Sequence, residues 1–139
     1  MKFCMLITVI FFGALPFAAL AQDTQDVKTA VERGKLIFEQ NCLACHQADG
    51  SGVPHLAPPL IKGTFVGGDK EKVIGIVLHG LENVEIKGEY YANPMPSFDY
   101  LSDQEIADVL SFVRTSFSNE ASEITSEEVT KARADTKTK

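Results

Sequence analysis

Two thiols and an imidazole lie close together in the segment Cys42-Leu43-Ala44-Cys45-His46. Two cysteines at this spacing can each form a thioether bond with a vinyl group of haem, and the adjacent histidine can bind the iron from the same side. This chemistry needs all three side chains at once, and the segment supplies them. It therefore predicts one covalently attached haem c, held by Cys42 and Cys45, with His46 as an iron ligand.

Two other kinds of site also use a C-x-x-C segment. A disulfide oxidoreductase places it after a strand and before a helix, whereas here a helical pattern precedes it and a glycine-rich segment follows. A structural zinc site needs two further Cys or His ligands at similar spacing, for which only His55 and His79 are available. Haem attachment is the favoured interpretation, and the two histidines are better read as surface or loop-packing residues.

A helix is predicted directly before the motif. Apolar and small residues recur there at three- and four-residue steps, as on one helix face: Val27, Ala30, Val31, Gly34, Ile37 and Phe38. Asp26 could serve as the N-cap, and the polar residues 22–27 are expected to fray.

Two stretches rich in glycine and proline, residues 47–68 and 82–99, are predicted to lack long regular elements, and the sequence shows no convincing strand pair. A short helix over residues 69–79, ended by Gly80, separates them. Loops as long as the first stretch are uncommon unless they wrap something. A buried macrocycle would also supply apolar bulk that a chain without Trp and with only short helices lacks.

The clearest helix follows a capping box formed by Ser102 and Glu105. Its apolar residues keep a helical repeat: Ile106, Val109, Leu110, Val113 and Phe117. A second capping box, Thr125 with Glu128, predicts a short C-terminal helix. The last six residues, ADTKTK, are expected to be disordered because they offer nothing to bury.

The leader, residues 1–21, has one charge and an apolar run that ends in Ala19-Leu20-Ala21, which predicts a secretory signal peptide. The run is also long enough for an uncleaved anchor, but Pro16 and the small residues at its end favour cleavage. In either case the globular part is expected outside the cytoplasm. The predicted organisation is thus a signal peptide (1–21), one domain (22–118) and a polar C-terminal extension (119–139).

The charge of the chain excludes some partners. Removal of the leader takes away one lysine and no acidic residue, so the net charge changes from −6 to −7. A negative field repels nucleic-acid phosphates and anionic lipid headgroups. Binding to nucleic acid and to a membrane surface through a basic patch are therefore disfavoured. Insertion of the mature chain into a membrane is not expected either, because the sequence shows no second long apolar run.

From Val31 to Phe117 the chain resembles the class I (monohaem) c-type cytochromes, particularly the small bacterial periplasmic ones. The resemblance rests on five features in order: Gly34 with Phe38, the CLACH segment, Ala57-Pro58-Pro59-Leu60, Met95-Pro96, and the helix DQEIADVLSFVR. It implies an all-α class I cytochrome c fold, with three to four helices and long ordered loops around one haem. It also implies that Gly34 and Phe38 pack against Val109 and Phe112 where the first and last helices cross.

The sixth iron ligand must come from a methionine or a histidine. Cleavage of the leader removes two methionines and leaves Met95, with His55 and His79 as alternatives. Met95 lies between two prolines, in a segment too constrained to be helical, and the family places its axial methionine in such a loop. We therefore expect His46 and Met95 as the two iron ligands.

The resemblance assigns roles to a few more residues. The carbonyl of Pro58 would accept a hydrogen bond from His46, and Leu60 would pack on the haem face. Lys62, Tyr90 and Tyr91 are weaker expectations as partners of the haem propionates.

A haem iron with two protein ligands has no open position, so the resemblance implies a one-electron carrier rather than an enzyme. It would shuttle electrons in the periplasm, as a monomer, between a donor dehydrogenase and an acceptor oxidase or reductase through a transient interface. The alternative is a dedicated cytochrome subunit of an exported dehydrogenase or oxidase complex, which would need a large apolar surface patch.

Overall fold

A computed structural model describes residues 21–136 of the chain. The predicted signal peptide lies outside the described residues apart from Ala21, as do residues 137–139. The elements follow in the order α1 (Ala21–Asn41), α2 (Leu43–His46), α3 (Thr64–Gly67), α4 (Lys70–His79), β1 (Val84–Ile86), β2 (Glu89–Tyr91), α5 (Asp103–Thr115) and α6 (Ser126–Thr136). Across this described part, no helix is both long enough and apolar enough to span a bilayer.

Helices α1 and α5 cross in close contact. Gly34 permits this approach, because a Cβ at this position would collide with the carbonyl oxygen of Asp108 and lie 2.9 Å from the Cβ of Phe112. Phe38 packs on Phe112 in the same contact, with ring centroids 5.5 Å apart. Arg33 adds two hydrogen bonds to the buried carboxylate of Asp108. The predicted packing of Gly34 and Phe38 against Phe112 is confirmed.

The two helices predicted around the second loop form as expected. Helix α5 begins at the Ser102–Glu105 capping box, in which each side chain accepts a hydrogen bond from the backbone of the other residue. Helix α4 begins at Asp69 and ends at Gly80, whose φ of 79° suits glycine. These helices meet α1 and α6 in one core, whose buried members are Phe38, Val66, Val73, Ile74, Leu78, Ile106, Ala107, Val109, Leu110, Val113, Ile124 and Val129.

The C-terminal extension packs on this core through α6. Its predicted capping box is confirmed, with the Thr125 amide 2.9 Å from the Glu128 carboxylate and the Glu128 amide 3.3 Å from the Thr125 hydroxyl. Ile124 and Val129 are buried. The helix includes residues 134–136, where the sequence predicts disorder, because ion pairs and the buried Val129 hold it to α4 and α5.

Two other expectations about local structure are wrong. Helix α1 begins at Ala21, so residues 22–27 are helical rather than frayed and Asp26 is not an N-cap. Strands β1 and β2 form an antiparallel hairpin in a stretch predicted to be irregular. The hairpin turns through Lys87 and Gly88, with φ values of 55° and 82°, as a two-residue turn of twisted strands requires. The overall class is nevertheless the predicted one, helices and ordered loops with only this small sheet.

Candidate haem site

The cysteine and histidine side chains of the motif lie on one face of a single helical turn. Helix α1 passes directly into this turn, since the Cys42 amide donates to the carbonyl of Phe38 at 2.8 Å. The amides of Cys45 and His46 then both donate to the carbonyl of Cys42, at 3.2 and 2.9 Å. Residues three and four apart in a helix share a face. All three side chains accordingly line one cavity.

The environment of Cys42 does not fit a redox-active or zinc-binding thiol. Burial, with a smaller effect from Cys45, raises the pKa of the Cys42 thiol to about 11. Reactive cysteines and metal-binding thiolates need the opposite shift. Within residues 21–136, no three His, Cys, Asp or Glu side chains come together as a metal site. The geometry therefore gives no support to the two alternative interpretations of the C-x-x-C segment.

The imidazole of His46 is oriented by one backbone carbonyl. Its Nδ1 lies 2.9 Å from the oxygen of Pro58. A carbonyl only accepts, so Nδ1 donates and carries the proton, which leaves the lone pair on Nε2 free to bind a metal. Burial lowers the pKa of His46, against a smaller opposing effect of this hydrogen bond, so the ring is neutral at physiological pH.

The loop that carries Pro58 is ordered by its own backbone. The amide of Gly52 donates to the carbonyl of His46 at 3.0 Å, and Val53 and Ala57 exchange two hydrogen bonds of 2.8 Å. Gly52 has a φ of 68°, and a Cβ there would collide with the carbonyl oxygen of Ala57. Only glycine fits this position, and the resulting tight fold brings Pro58 against His46.

Met95 is fixed by the end of helix α4. Its amide donates to the carbonyl of Leu81 at 2.9 Å, and its carbonyl accepts from the Leu81 amide at 3.1 Å. Gly80 allows this contact, because a Cβ at Gly80 would collide with the Met95 carbonyl oxygen. The hydroxyl of Ser97 also donates to the carbonyl of Leu78 at 2.7 Å. The segment with two prolines is therefore held at the methionine itself and two residues after it.

Two adjoining cavities lie between these segments. Counted with the open solvent at its mouth, the outer cavity has a volume of about 610 Å³ and includes several exposed lining residues. Counted in the same way, the inner cavity has a volume of about 880 Å³ and reaches the hydrophobic core. Six residues line both cavities: Cys42, His46, Pro58, Leu81, Met95 and Phe98. No Asp, Glu, Lys or Arg appears among the described residues that line either one. The volumes and the apolar walls suit a large apolar cofactor, and the thiols, imidazole and thioether suit haem c.

The structure brings together most of the predicted site residues and separates others. Leu60 lines the inner cavity, as expected for a residue on the haem face, and Tyr91 lines the outer one. Four residues line neither cavity: His55, Lys62, His79 and Tyr90.

The side chain of Tyr90 points to another group, since its hydroxyl donates to Asn83 at 3.0 Å. His55 is exposed, and its backbone amide donates to Glu89 at 2.8 Å.

The sequence analysis missed the contribution of the hairpin to the cavity walls. Val84 lines the outer cavity and Ile86 lines the inner one. The signal was present, because the two β-prone residues alternate with a glutamate and precede the turn-forming pair Lys87-Gly88. With strands of only three residues, this alternation was too short to stand out.

Comparison with known proteins agrees with this geometry. The family model for cytochrome c matches residues 31–117, which is more than half of the chain. The chain belongs to the cytochrome c family. As a class I cytochrome c it carries one covalently attached haem c and transfers electrons.

Relatives of this cytochrome c include both small proteins and parts of larger ones. It is 38% identical over 112 residues to cytochrome c-552 of Thermus thermophilus, covering 73% of this chain and 84% of that protein. It is 32% identical over 106 residues to cytochrome c6 of Cyanidium caldarium, covering 76% and 89%. It is 34% identical over 108 residues to a gluconate 2-dehydrogenase cytochrome c subunit of Pantoea cypripedii, covering 75% of this chain and 24% of that subunit.

Proposed function

We propose that this cytochrome c is a one-electron carrier in which Cys42 and Cys45 attach the haem and His46 and Met95 are the two iron ligands. The observation that carries the proposal is that the imidazole and the thioether line the same two apolar cavities. An iron held by both side chains would have no open position for oxygen or a substrate. The proposed role is therefore electron transfer without catalysis.

The surrounding residues support this role in distinct ways. Haem, when bound, supplies an iron that exchanges one electron at a time. Pro58 keeps the proton on Nδ1 of His46 and so reserves Nε2 for the metal. The apolar walls exclude water, and a thioether ligand and a dry environment both favour the reduced, less charged iron. We accordingly expect a positive reduction potential.

Partners would meet the protein at the outer cavity. Five of its lining residues are exposed and uncharged, namely Cys45, Leu56, Asn93, Pro94 and Pro96, so the contact surface proposed there is small. Small interfaces suit complexes that form, exchange an electron and separate quickly. The net charge of −7 of the cleaved chain would steer the encounter toward a basic partner surface. The proposed location is the periplasm, from the predicted signal peptide, and the proposed state is a monomer.

A permanent subunit of a dehydrogenase complex is the second candidate function, because some relatives are named as cytochrome c subunits of dehydrogenases. Such a subunit needs a large apolar interface. Of the five large hydrophobic side chains that are exposed among the described residues, Leu56 lines the outer cavity, whereas Leu36, Ile61, Tyr90 and Tyr100 line neither cavity. This distribution supports the free carrier.

Reduction by the native donor in a stopped-flow instrument separates the two functions. A free carrier should react with second-order kinetics, at a rate that falls as salt rises because the steering charges are screened. Co-purification with the donor at high salt, and a rate that is independent of dilution and salt, would instead identify a permanent subunit.

Replacement of Met95 tests the proposed iron coordination. Met95→Ala should abolish the weak charge-transfer band of ferric iron bound to a thioether, lower the reduction potential and admit carbon monoxide. Met95→His should keep six ligands but also lower the potential. His55→Ala and His79→Ala serve as controls and should keep the parental band. If the parent lacks the band and Met95→Ala keeps the parental potential, the proposed ligand is wrong, and carbon monoxide binding to one of the histidine variants would identify the true one.

A further inference from the structure

A buried cation lies next to the wall of the inner cavity. Arg114, in the last turn of α5, is only 2% exposed. Its guanidinium donates hydrogen bonds to the backbone carbonyls of Val66, Gly68 and Ser122. These hydrogen-bond partners are all neutral, so they satisfy the N–H groups without cancelling the charge. An arginine keeps its proton even where burial lowers its pKa.

The position of this charge relates it to the haem site. Val66 lines the inner cavity, and so does Val113, the residue that precedes Arg114 in α5. The guanidinium therefore donates a hydrogen bond directly to the backbone of a residue in the cavity wall. The wall and the surrounding core are apolar and buried, so little water lies there to screen a charge.

One carboxylate interacts with this cation from the C-terminal extension. Glu128 of α6 attracts Arg114 electrostatically and forms an ion pair with Lys70 of α4, with oxygen to nitrogen distances of 2.8 and 3.0 Å. Burial raises the pKa of Glu128, but hydrogen bonds from Lys70 and Thr125 lower it more, so the carboxylate is ionised at neutral pH. The three side chains form a charge cluster with one net positive charge.

Oxidation of a haem iron adds one positive charge to the cofactor. A nearby buried cation opposes this charge, and its effect persists because water is excluded around it. A nearby anion favours the charge, with a smaller effect where the side chain is partly exposed, as Glu128 is at 38%. We propose that Arg114 raises the reduction potential of the haem through its charge and that Glu128 lowers it. The extension beyond the family match thus supplies one of two opposing charges that set the potential. The inference rests on the proposed electron-carrier function.

Loss of a structural contact and loss of a charge have different consequences. Loosening the cavity wall admits water, which stabilises the ferric form and lowers the potential whichever residue is replaced. The charge proposal instead requires opposite signs for Arg114 and Glu128. It also requires that Arg114→Lys keeps the parental reduction potential, because lysine retains the charge although it lacks the planar fork of hydrogen bonds.

The test is a spectroelectrochemical titration of the purified holoprotein at low and high ionic strength. Arg114→Gln should lower the reduction potential and Glu128→Gln should raise it. The potential of Arg114→Lys should be close to that of the parent. The shift of Arg114→Gln should remain at high salt, because the site is buried. Lys131→Gln is the matched control: it removes the same charge from α6, but its side chain is 68% exposed and pairs with Glu71, which lines neither cavity, so the potential should not move.

Shifts of the same sign for Arg114→Gln and Glu128→Gln, or no shift in either, would overturn the proposal. The proposal would also be overturned if Arg114→Lys lowered the reduction potential as much as Arg114→Gln does. If Arg114→Gln does not fold, Glu128→Gln decides: a rise supports the proposal, and no change or a fall refutes it. The thioether band is recorded for the parent and for each variant. Its absence from the parent would refute the proposed Met95 ligation, whereas the signs of the shifts judge the charge proposal separately.

Discussion

The two cavities of the haem site are built in different ways. The inner cavity continues the hydrophobic core, since many of its lining residues are buried core members: Phe38, Val66, Val73, Val109, Leu110 and Val113. The outer cavity is bounded mainly by loops and the hairpin, and Cys42 is the one residue it shares with the core cluster among those described. Side-chain packing therefore forms one wall of the site, and hydrogen-bonded backbone forms the other.

This difference matches two requirements of an electron carrier. A defined potential needs a dry environment on one side of the haem, which close-packed helices provide. Electron exchange with partners requires that another side of the haem is accessible, and close-packed side chains would cover it there. Loops tied by backbone hydrogen bonds, such as those between Leu81 and Met95, can hold a ligand in place without covering it in apolar bulk.

Removal of the haem should have the largest effect, and it should act mainly on the inner side. In the double variant Cys42→Ala/Cys45→Ala the helices would face an empty apolar space, and an unfilled cavity destabilises a core in proportion to its volume. We expect most of the helical circular dichroism and the cooperative unfolding transition to be lost. Cys4→Ser, in the predicted leader, should leave the mature protein unchanged.

Haem staining after denaturing electrophoresis, together with the absence of haem absorbance from the native protein, verifies that the double variant contains no haem. If that variant nevertheless keeps the parental circular dichroism and transition, the inner core is stable without the cofactor, and the contrast between the two walls is smaller than argued above.

The helix crossing behind the inner cavity gives the next largest effect. In Gly34→Ala the new Cβ collides with the Asp108 backbone. We therefore expect this overpacking to lower the free energy of unfolding by about 3 kcal/mol. Gly75→Ala in α4 is the matched control, because a Cβ there meets nothing within 4 Å. That variant should gain about 0.5–1 kcal/mol from helix propensity. Denaturant titration of both holoproteins checks the pair, and equal effects would refute the crossing argument.

Local signals in the sequence were enough to predict the helices of the inner wall and the haem-attachment segment. Each of these signals lies within one short segment or on one helix face. They are the capping box at Ser102, the glycine at position 34, and the spacing of Cys42, Cys45 and His46. Such local patterns can be read without knowing the fold. The helices followed from them, as did the haem-attachment segment Cys42, Cys45 and His46 that lines the outer cavity.

Features that depend on distant segments could not be read in this way. Arg114 fits a sequence pattern for a charged residue at a helix C-terminus, yet it is buried because residues 66–68 and 122 fold over it. Helix α6 was expected to end in disorder, but its ion pairs are made with α4 and α5, far away in sequence. These contacts exist only once the chain has folded.

A glycine in the outer wall should give a smaller and more local effect. Gly52→Ala forces a side chain into a backbone conformation with φ of 68° and against the Ala57 carbonyl, at a cost of about 1–2 kcal/mol. Hydrogen exchange should accelerate in residues 47–60 and remain slow in α1 and α5, because the two walls are separate cooperative units. Gly67→Ala, with nothing within 4 Å of its Cβ, should change neither quantity. Equal acceleration in α5 would show that the walls unfold together.

The capping box of α5 should give the smallest effect, and it depends on pH. The Glu105 carboxylate accepts hydrogen bonds from the Ser102 hydroxyl and amide at 2.7 and 2.8 Å, and these lower its pKa below the ordinary 4.5. Because the folded state has the lower pKa, the unfolded chain binds more protons in acid. The stabilisation by Glu105 is therefore complete above 4.5 and disappears as the pH falls through the folded pKa.

Denaturant titrations of the parent and of Glu105→Gln, at neutral pH and below pH 4.5, measure this contribution. The parent should be slightly more stable at neutral pH, and the difference should shrink in acid. Ser102→Ala should cost about 1 kcal/mol at neutral pH, since it removes the cap. In that background the pH dependence of Glu105→Gln should become smaller, because the hydroxyl, the larger cause of the lowered carboxyl pKa, is gone and only the amide of residue 102 remains. A difference that stays constant with pH in the parent background would mean that the box stabilises α5 by geometry alone, without the charge of Glu105.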